Sequence, residues 1–166
     1  MDADAPVAAR LGARLRERDE TLAVAESCTG GLLGSTITDV PGASEYFLGG
    51  ILSYTDGTKR RLLAVSREDL DRHGAVSRPV ARSMATHVRD EAGADWALST
   101  TGYAGASDDP DEPAGTVYVG VACAGTGEGP FSVVERHQFD GHRQRVKERV
   151  TERALESLLV QIRSTE

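Results

Sequence analysis

The sequence predicts an α/β fold, a three-layer α/β/α sandwich in which a mixed sheet lies between helices. Helix-like and strand-like segments alternate through roughly the first hundred of the 166 residues, a pattern typical of parallel strands joined by helices. Two strand-like segments, 116–124 and 131–139, then follow each other across a turn rich in Gly, which predicts an antiparallel hairpin. No linker composition divides the chain, so residues 1–166 are predicted to form one domain.

The first half of the chain alternates between amphipathic and apolar segments. Val7, Leu11 and Leu15 recur at four-residue intervals and predict a first helix over 6–19, with arginines on its outer face. The apolar run 21–24 predicts a short buried strand. The remaining predicted elements of this half are a helix from 32 to about 40, a strand over 46–54, a helix after Thr55 and a short helix over 66–72.

The second half begins with a well-marked helix over 78–91, with Pro79 in its first turn and Gly93 past its end. A strand over 95–101 and a turn-rich loop over 103–113 are predicted next. Segment 116–124 is apolar on both faces and predicts an interior strand, whereas 131–139 alternates and predicts an outer one. A helix over about 142–162 is predicted last, and its inward residues are Val146, Val150, Leu155, Leu158 and Leu159.

Charge and composition narrow the possible partners. The net charge is −7, which argues against nucleic acid or an anionic membrane as a partner. The sequence contains no apolar run long enough for a membrane span, and its acidic start is unlike a signal peptide. Cys28 and Cys123 suggest no disulfide framework, so a reducing cytoplasmic location is predicted. A homo-oligomer remains possible.

Lysine is rare in this acidic chain, since Lys59 and Lys147 are the only two. Abundant Asp, Glu and Arg with scarce Lys resembles the proteins of salt-loving archaea. An acidic cytosolic protein from a GC-rich genome has the same bias, and the sequence leaves both readings open.

The most informative segment is 25–31, Ala-Glu-Ser-Cys-Thr-Gly-Gly, which follows the first predicted strand and precedes a helix. Ser27, Cys28 and Thr29 place three nucleophile-capable side chains at the carboxyl end of a strand, where open α/β sheets bind ligands. Helix-start N–H groups there favour an anion, and Gly30 and Gly31 allow close approach of the backbone.

This segment, together with motifs that follow it in order, resembles the C-terminal domain family of CinA and its stand-alone nicotinamide mononucleotide deamidases. The family's Ala-Glu-Ser-Cys-Thr-Gly-Gly is present letter for letter. The further matches, spread over nearly the whole chain, are Ser53-Tyr54-x4-Lys59, His73-Gly74-Ala75-Val76-Ser77, Thr101-Gly102-x-Ala104-Gly105, Pro113-Ala114-Gly115-Thr116-Val117 and Gly141-x-Arg143. The resemblance implies the same three-layer fold.

The resemblance also implies a catalytic trio, with Ser27 as nucleophile and Lys59 and Tyr54 as its proton-transfer partners. A serine needs a base before it attacks an amide, and a lysine of lowered pKa can serve. None of the four histidines stands in a pattern that pairs it with Ser27, and no spacing suggests a metal site. From the residues alone, Lys59 also fits a solvated helix face, and Cys28 is a rival nucleophile.

Several residues are expected to bind the substrate. The backbone N–H groups near Thr29, Gly30 and Gly31 suit an oxyanion. Glu26 suits a contact to Lys59 or a ribose hydroxyl, or simply the charge at a helix start. Three further candidates are Thr101 and Gly102 for the carboxamide or ribose, and Arg143 for the phosphate.

One loop departs from the family pattern. Tyr103 stands where the family usually has a small aliphatic residue, and Ala106 stands where it has proline. The acidic run 108–112 follows. Carboxylates near a phosphate pocket weaken anion binding unless they point to solvent, so the exact substrate is less certain than the chemistry.

The expected function is therefore metal- and cofactor-independent hydrolysis of nicotinamide mononucleotide to nicotinic acid mononucleotide and ammonia, in pyridine-nucleotide salvage. Two alternatives stay open. One is a non-catalytic module that binds a pyridine nucleotide, and the other is an interaction domain linked to competence or DNA damage.

Overall fold

The computed structural model describes residues 4–126 and 129–165. Its helices are α1 (Val7–Arg18), α2 (Leu32–Thr38), α3 (Asp56–Leu63), α4 (Arg67–His73), α5 (Arg78–Ala92) and α6 (Arg143–Ser164). Its strands are β1 (Leu22–Glu26), β2 (Phe47–Leu52), β3 (Trp96–Gly102), β4 (Thr116–Thr126) and β5 (Gly129–Gln138). A 3-10 turn, Ala43–Glu45, precedes β2.

The strands form one mixed sheet in the order β2-β1-β3-β4-β5. Strand β1 pairs in parallel with both β2 and β3, and β4 pairs antiparallel with both β3 and β5. The predicted α/β class and mixed sheet are confirmed, with β4 inside the sheet and β5 at its edge. At the carboxyl end of β1, Glu26 lies opposite Leu52 on one side and Thr100 on the other. Three parallel strands therefore end at one edge, which positions the site described below.

Both faces of the sheet are covered, which explains why every residue of β1 is buried. Leu22 and Val24 point into a core built with α1, α2 and α6. Ala23 and Ala25 point into a second core on the other face, where α5 packs against the sheet. Each fully buried leucine contributes about 1.5–3 kcal/mol to folding. The first core contains more buried apolar side chains than the second, so it contributes more to the stability of the domain.

Element boundaries differ from the sequence expectations by a few residues. The first strand starts at Leu22 rather than Thr21 and runs on to Glu26, because Ser27 still pairs its N–H with Thr100 O at 3.0 Å. Strand β2 spans only Phe47–Leu52 of the predicted 46–54. The predicted turn over 125–130 includes residues 127 and 128, and the acidic start includes residues 1–3; these residues lie outside the described part of the chain.

None of the helices in the described ranges has both the length and the hydropathy needed to cross a bilayer.

Candidate active site

A cavity of about 230 Å³ opens where β1, β2 and β3 end. Six of the residues expected from the sequence line it: Ser27, Tyr54, Lys59, Thr101, Gly102 and Arg143. The wall also includes Cys28, Ala75, Val76, Tyr103 and Ala104. The sheet topology brings these segments together, because the carboxyl ends of adjacent parallel strands meet at one edge.

The central contact of the cavity joins Ser27 and Lys59. Lys59 Nζ donates to Ser27 Oγ at 2.9 Å and to the Ser53 carbonyl at 2.8 Å. The lysine is only 1% exposed, and Ser27 is also buried. The ammonium is thus fixed between two acceptors at the bottom of the cavity, and an ordinary solvated position on the helix face is excluded.

Local sequence explains how Lys59 reaches this position. Thr55 and Thr58 form a reciprocal capping box that starts α3 directly after β2. Lys59 lies one turn into this helix, with its N–H bonded to Thr55 O at 2.9 Å. Its side chain consequently points back over the end of β2 towards Ser27.

Burial lowers the pKa of Lys59 below its ordinary value, although the nearby Asp56 carboxylate and Cys28 act in the opposite direction. Desolvation disfavours the charged form of an amine. A lower pKa makes the neutral amine easier to form, and in that form Lys59 Nζ, 2.9 Å from Ser27 Oγ, can accept the hydroxyl proton.

Cys28 is a weaker candidate nucleophile than Ser27. Its side chain is buried, and burial raises the pKa of its thiol to about 12, with a hydrogen bond involving Thr100 opposing this. Because the thiolate is the reactive form, a thiol of this pKa stays protonated at neutral pH.

Of the roles expected for Glu26, the structure shows the charge at a helix start and not a contact to Lys59. Its carboxylate accepts hydrogen bonds from Thr29 Oγ1 at 2.6 Å and from the N–H groups of Gly31, Leu33 and Gly34 at 3.1, 2.9 and 3.0 Å. It therefore neutralises the N-terminal turn of α2, which has no side-chain cap of its own. With its carboxylate fully engaged and 4% of the residue exposed, Glu26 faces neither Lys59 nor the cavity.

Thr29, Gly30 and Gly31 also lie outside the cavity wall, and two of their three backbone donors are already engaged. Thr29 is fully buried, and its hydroxyl is paired with Glu26 and with Thr100 Oγ1. The Gly30 and Gly31 N–H groups already donate to Ser27 O at 3.1 Å and to Glu26. Both glycines have positive φ, 60° and 98°, so their place in the turn is conformational.

Two backbone donors remain near Ser27. Within the described residues, the N–H groups of Cys28 and Thr29 donate to no protein oxygen. They directly follow Ser27 in the chain, so they are candidate oxyanion donors in place of the N–H groups of Gly30 and Gly31.

Thr101 and Gly102 line the cavity but are held by other protein groups. The Thr101 hydroxyl donates to Ala75 O at 2.8 Å and so fixes the turn that carries Val76. A Cβ on Gly102 would lie 2.7 Å from Thr116 O and from Val117 Cγ2, so the close packing of β3 on β4 excludes any side chain there.

Tyr54 and Arg143 lie at the rim. Tyr54 is 64% exposed, and no hydrogen bond joins its phenol to Ser27 or Lys59 in the described part of the chain. Arg143 starts α6 with its guanidinium against Gly105, where a Cβ would be 2.6 Å from Nη2. It is exposed and forms no hydrogen bond or ion pair with the described residues, so its planar fork is available to an anion.

Sequence reasoning missed three contributors to the site. The Ser53 carbonyl and the backbone at Ala75 and Val76 lie within matched motifs, but carbonyl acceptors and turn positions leave no mark in a residue pattern. Lys147, one helical turn after Arg143, places its Nζ 3.4 Å from the Cβ position of Gly30. Because the sequence has only two lysines, the presence of Lys147 in this segment was the feature that could have drawn attention to it.

The acidic loop mostly faces solvent. Asp108, Asp109 and Asp111 are exposed. Glu112 accepts from the Tyr118 hydroxyl and from Arg136 Nη2 at 3.0 Å. Among the described residues, no cluster of His, Cys, Asp or Glu is arranged to hold a metal ion.

Fold and site together define a mixed α/β domain with a serine–lysine pair at the carboxyl edge of its parallel strands. The sequence pattern of the CinA C-terminal domain matches residues 4–162. The chain belongs to this family, as the motifs predicted.

Relatives and solved structures agree with this assignment. A CinA-like protein of Chlorobaculum tepidum is 47% identical over 154 residues, covering 92% of this chain and 36% of that protein. One from Solibacter usitatus is 46% identical, covering 89% and 35%. The chain thus spans about a third of the length of these curated relatives.

Two crystal structures share the fold over nearly the whole chain. A competence-damaged protein (CinA) superfamily protein from Klebsiella pneumoniae superposes with a TM-score of 0.88 at 30% identity, covering 95% of this chain and 96% of that one. One from Escherichia coli gives 0.84 at 34% identity, covering 92% and 87%.

Proposed function

We propose that this domain is an amidohydrolase that converts nicotinamide mononucleotide to nicotinic acid mononucleotide and ammonia. The observation that carries the proposal is the hydrogen bond from a buried lysine to Ser27 Oγ at 2.9 Å. Burying a lysine at 1% exposure is costly to folding in its charged form, and ionisable groups of this kind are concentrated at catalytic sites. A passive nucleotide-binding module needs no such pair.

In the first step, neutral Lys59 takes the proton of Ser27 as Oγ attacks the carboxamide carbon. The carbonyl oxygen becomes an oxyanion, which the free N–H groups of Cys28 and Thr29 stabilise. Protonated Lys59 then gives the proton to the departing nitrogen, and ammonia leaves. The product of this half-reaction is an ester of Ser27 with the pyridine carboxylate.

In the second step, Lys59 accepts a proton from water, which attacks the ester carbon. The tetrahedral intermediate collapses, Ser27 Oγ recovers its proton from Lys59, and the carboxylate product leaves. Tyr54 stands at the rim, from which its phenol can contact the incoming amide or the ribose. This role is narrower than a direct proton relay, because Ser27 and Lys59 already contact each other.

Substrate recognition relies on Arg143, which also lines the cavity. Its free guanidinium suits the terminal phosphate of a mononucleotide, and a bidentate contact fixes orientation as well as charge. The cavity has a volume of about 230 Å³. This volume suits one pyridine ring with its ribose better than a dinucleotide.

The decisive experiment is an ammonia-release assay over pyridine nucleotides, nicotinamide riboside and nicotinamide, at low and molar salt. Release from nicotinamide mononucleotide that disappears in Ser27→Ala supports the proposal. Binding without ammonia release at any salt concentration would favour a binding module, and neither binding nor release would favour an interaction domain.

A further inference from the structure

Tyr103 lines the cavity but has no role in the catalytic steps proposed above. It follows Gly102 at the end of β3, and its backbone extends the pairing with β4. Tyr103 N–H donates to Thr116 O at 2.9 Å, and its carbonyl accepts from Gly115 N–H at 2.7 Å. The base of this side chain is therefore held by the sheet and not by the loop that follows.

The ring of Tyr103 is fixed as well. It packs against a small apolar cluster of Val76, Ala81 and Tyr118. Val76 lines the same cavity, so the ring continues a wall that the Thr101–Ala75 hydrogen bond already holds in place. An aromatic ring that is already held in place can contact a ligand ring at little cost in conformational entropy.

The surroundings of the phenol are negatively charged. Burial raises the pKa of Tyr103, and the carboxylates of Asp109, Glu112 and Asp108 raise it further, while a hydrogen bond with Ser107 opposes them. Glu112 is neutralised by Arg136, but Asp108 and Asp109 form no ion pair within the described residues. Two carboxylates that form no such ion pair therefore lie near the Tyr103 phenol, while the Arg143 guanidinium lies against Gly105 of the same loop.

We propose that Tyr103 determines which ring the site accepts, by selecting a positively charged, N-substituted heteroaromatic ring over a neutral ring of the same shape. The proposal rests on the function argued above and deepens it. A cation over an aromatic face is attracted by the ring quadrupole, and nearby carboxylates add to the attraction. The substrate class would be oxidised pyridinium mononucleotides, not their dihydropyridine forms.

The test compares nicotinamide mononucleotide with its reduced, 1,4-dihydro form, which has the same carboxamide, ribose and phosphate but an uncharged ring. Both dissociation constants are measured by calorimetry in the Ser27→Ala background, where neither ligand is consumed. We expect the oxidised form to bind about 2- to 30-fold more tightly, the range of a partly desolvated cation–π contact.

Two variants isolate the ring. Tyr103→Phe keeps the π-face and should preserve the preference, whereas Tyr103→Leu should reduce the ratio of the two constants towards one. Tyr118→Leu is the matched control, because it disturbs the same apolar cluster without lining the cavity and should keep the ratio. Melting curves of each variant report on folding.

The outcomes separate the two proposals. Three results would overturn this inference. The ratio of the two dissociation constants could be unchanged in folded Tyr103→Leu, it could already be near one in the Ser27→Ala protein with Tyr103 intact, or neither ligand could bind. Ammonia release by the wild-type protein is measured in parallel. If the ratio depends on Tyr103 but no ammonia is released, the proposal that Tyr103 selects the ring stands and the proposed hydrolysis does not. If ammonia is released but the ratio does not depend on Tyr103, the hydrolysis stands and the ring selection does not.

Discussion

Ser27 Oγ and Lys59 Nζ lie 2.9 Å apart although 32 residues separate them in the chain. Ser27 directly follows β1. Lys59 lies in the first turn of α3, the helix that follows β2, and β2 pairs in parallel with β1. The contact is therefore a property of the sheet order, because both segments leave the sheet at the same edge. Without the pairing of β1 and β2, Ser27 and Lys59 would not be brought into contact.

Replacing Ser27 by Ala should abolish ammonia release while changing the affinity for nicotinamide mononucleotide by less than about tenfold, because loss of the nucleophile affects the transition state and not ground-state binding. Steady-state kinetics and calorimetry measure the two effects. Cys28→Ala is the control and should remain active. An active Ser27 variant with a dead Cys28 variant would show that the nucleophile has been misassigned.

Replacing Lys59 by Met should lower turnover by about 10²–10⁴, the usual contribution of a general base. In the wild-type protein the neutral amine is the active form, so kcat/KM should rise with pH up to the pKa of Lys59, which burial places below its ordinary value. This rise should be missing from the residual activity of the Met variant. A variant with normal turnover at neutral pH would remove Lys59 from the mechanism.

Replacing Glu26 by Ala should destabilise the domain by about 3 kcal/mol, because one buried and two partly buried N–H donors at the start of α2 lose their acceptor. Urea unfolding followed by circular dichroism measures the change. Glu45→Ala is the matched control: it removes an exposed carboxylate 3.8 Å from Arg16, and pairs of this kind contribute at most about 1 kcal/mol. Equal losses in the two variants would contradict the anchoring role of Glu26.

Replacing Arg143 by Ala should weaken binding of nicotinamide mononucleotide by about 1.5–3 kcal/mol and leave nicotinamide riboside almost unaffected, since only the former carries a phosphate. Titration calorimetry of both ligands tests this. Arg145→Ala, an exposed neighbour that faces Glu148 at 3.5 Å, should change neither affinity. Equal losses for both ligands in the Arg143 variant would show that this residue does not read the phosphate.

Raising KCl from 0.1 to 2 M should raise the melting temperature. The chain has a net charge of −7, and the screening length falls from about 10 Å at 0.1 M to about 3 Å at 1 M, so self-repulsion weakens. The same screening weakens an Arg143–phosphate contact, and activity should therefore peak at lower salt than stability does. Calorimetric melting with parallel assays measures both. A flat or falling melting temperature would count against the salt-loving reading of the composition.

The order of all helices and strands was predictable, because each has a clear apolar period or capping residue, and the edge that carries the cavity followed from it. The partners of polar side chains were not. Glu26 was visible as a carboxylate before a helix, but only the fold shows that the N–H groups of α2 enclose it. The Thr101 hydroxyl likewise meets Ala75 O, a pairing that depends on how a distant turn folds back.

The hydrogen bonds between Tyr103 and the 115–116 backbone have an evolutionary consequence. They close loop 104–114 at its base with main-chain groups that almost any sequence supplies. Doubling the length of such a loop costs only about 0.6 kcal/mol in closure entropy. The loop tip can therefore gain, lose or exchange residues while Ser27 and Lys59 stay in place. If the proposed function holds, grafting the loop tip from another family member should change ligand preference while the Ser27–Lys59 hydrogen bond is kept.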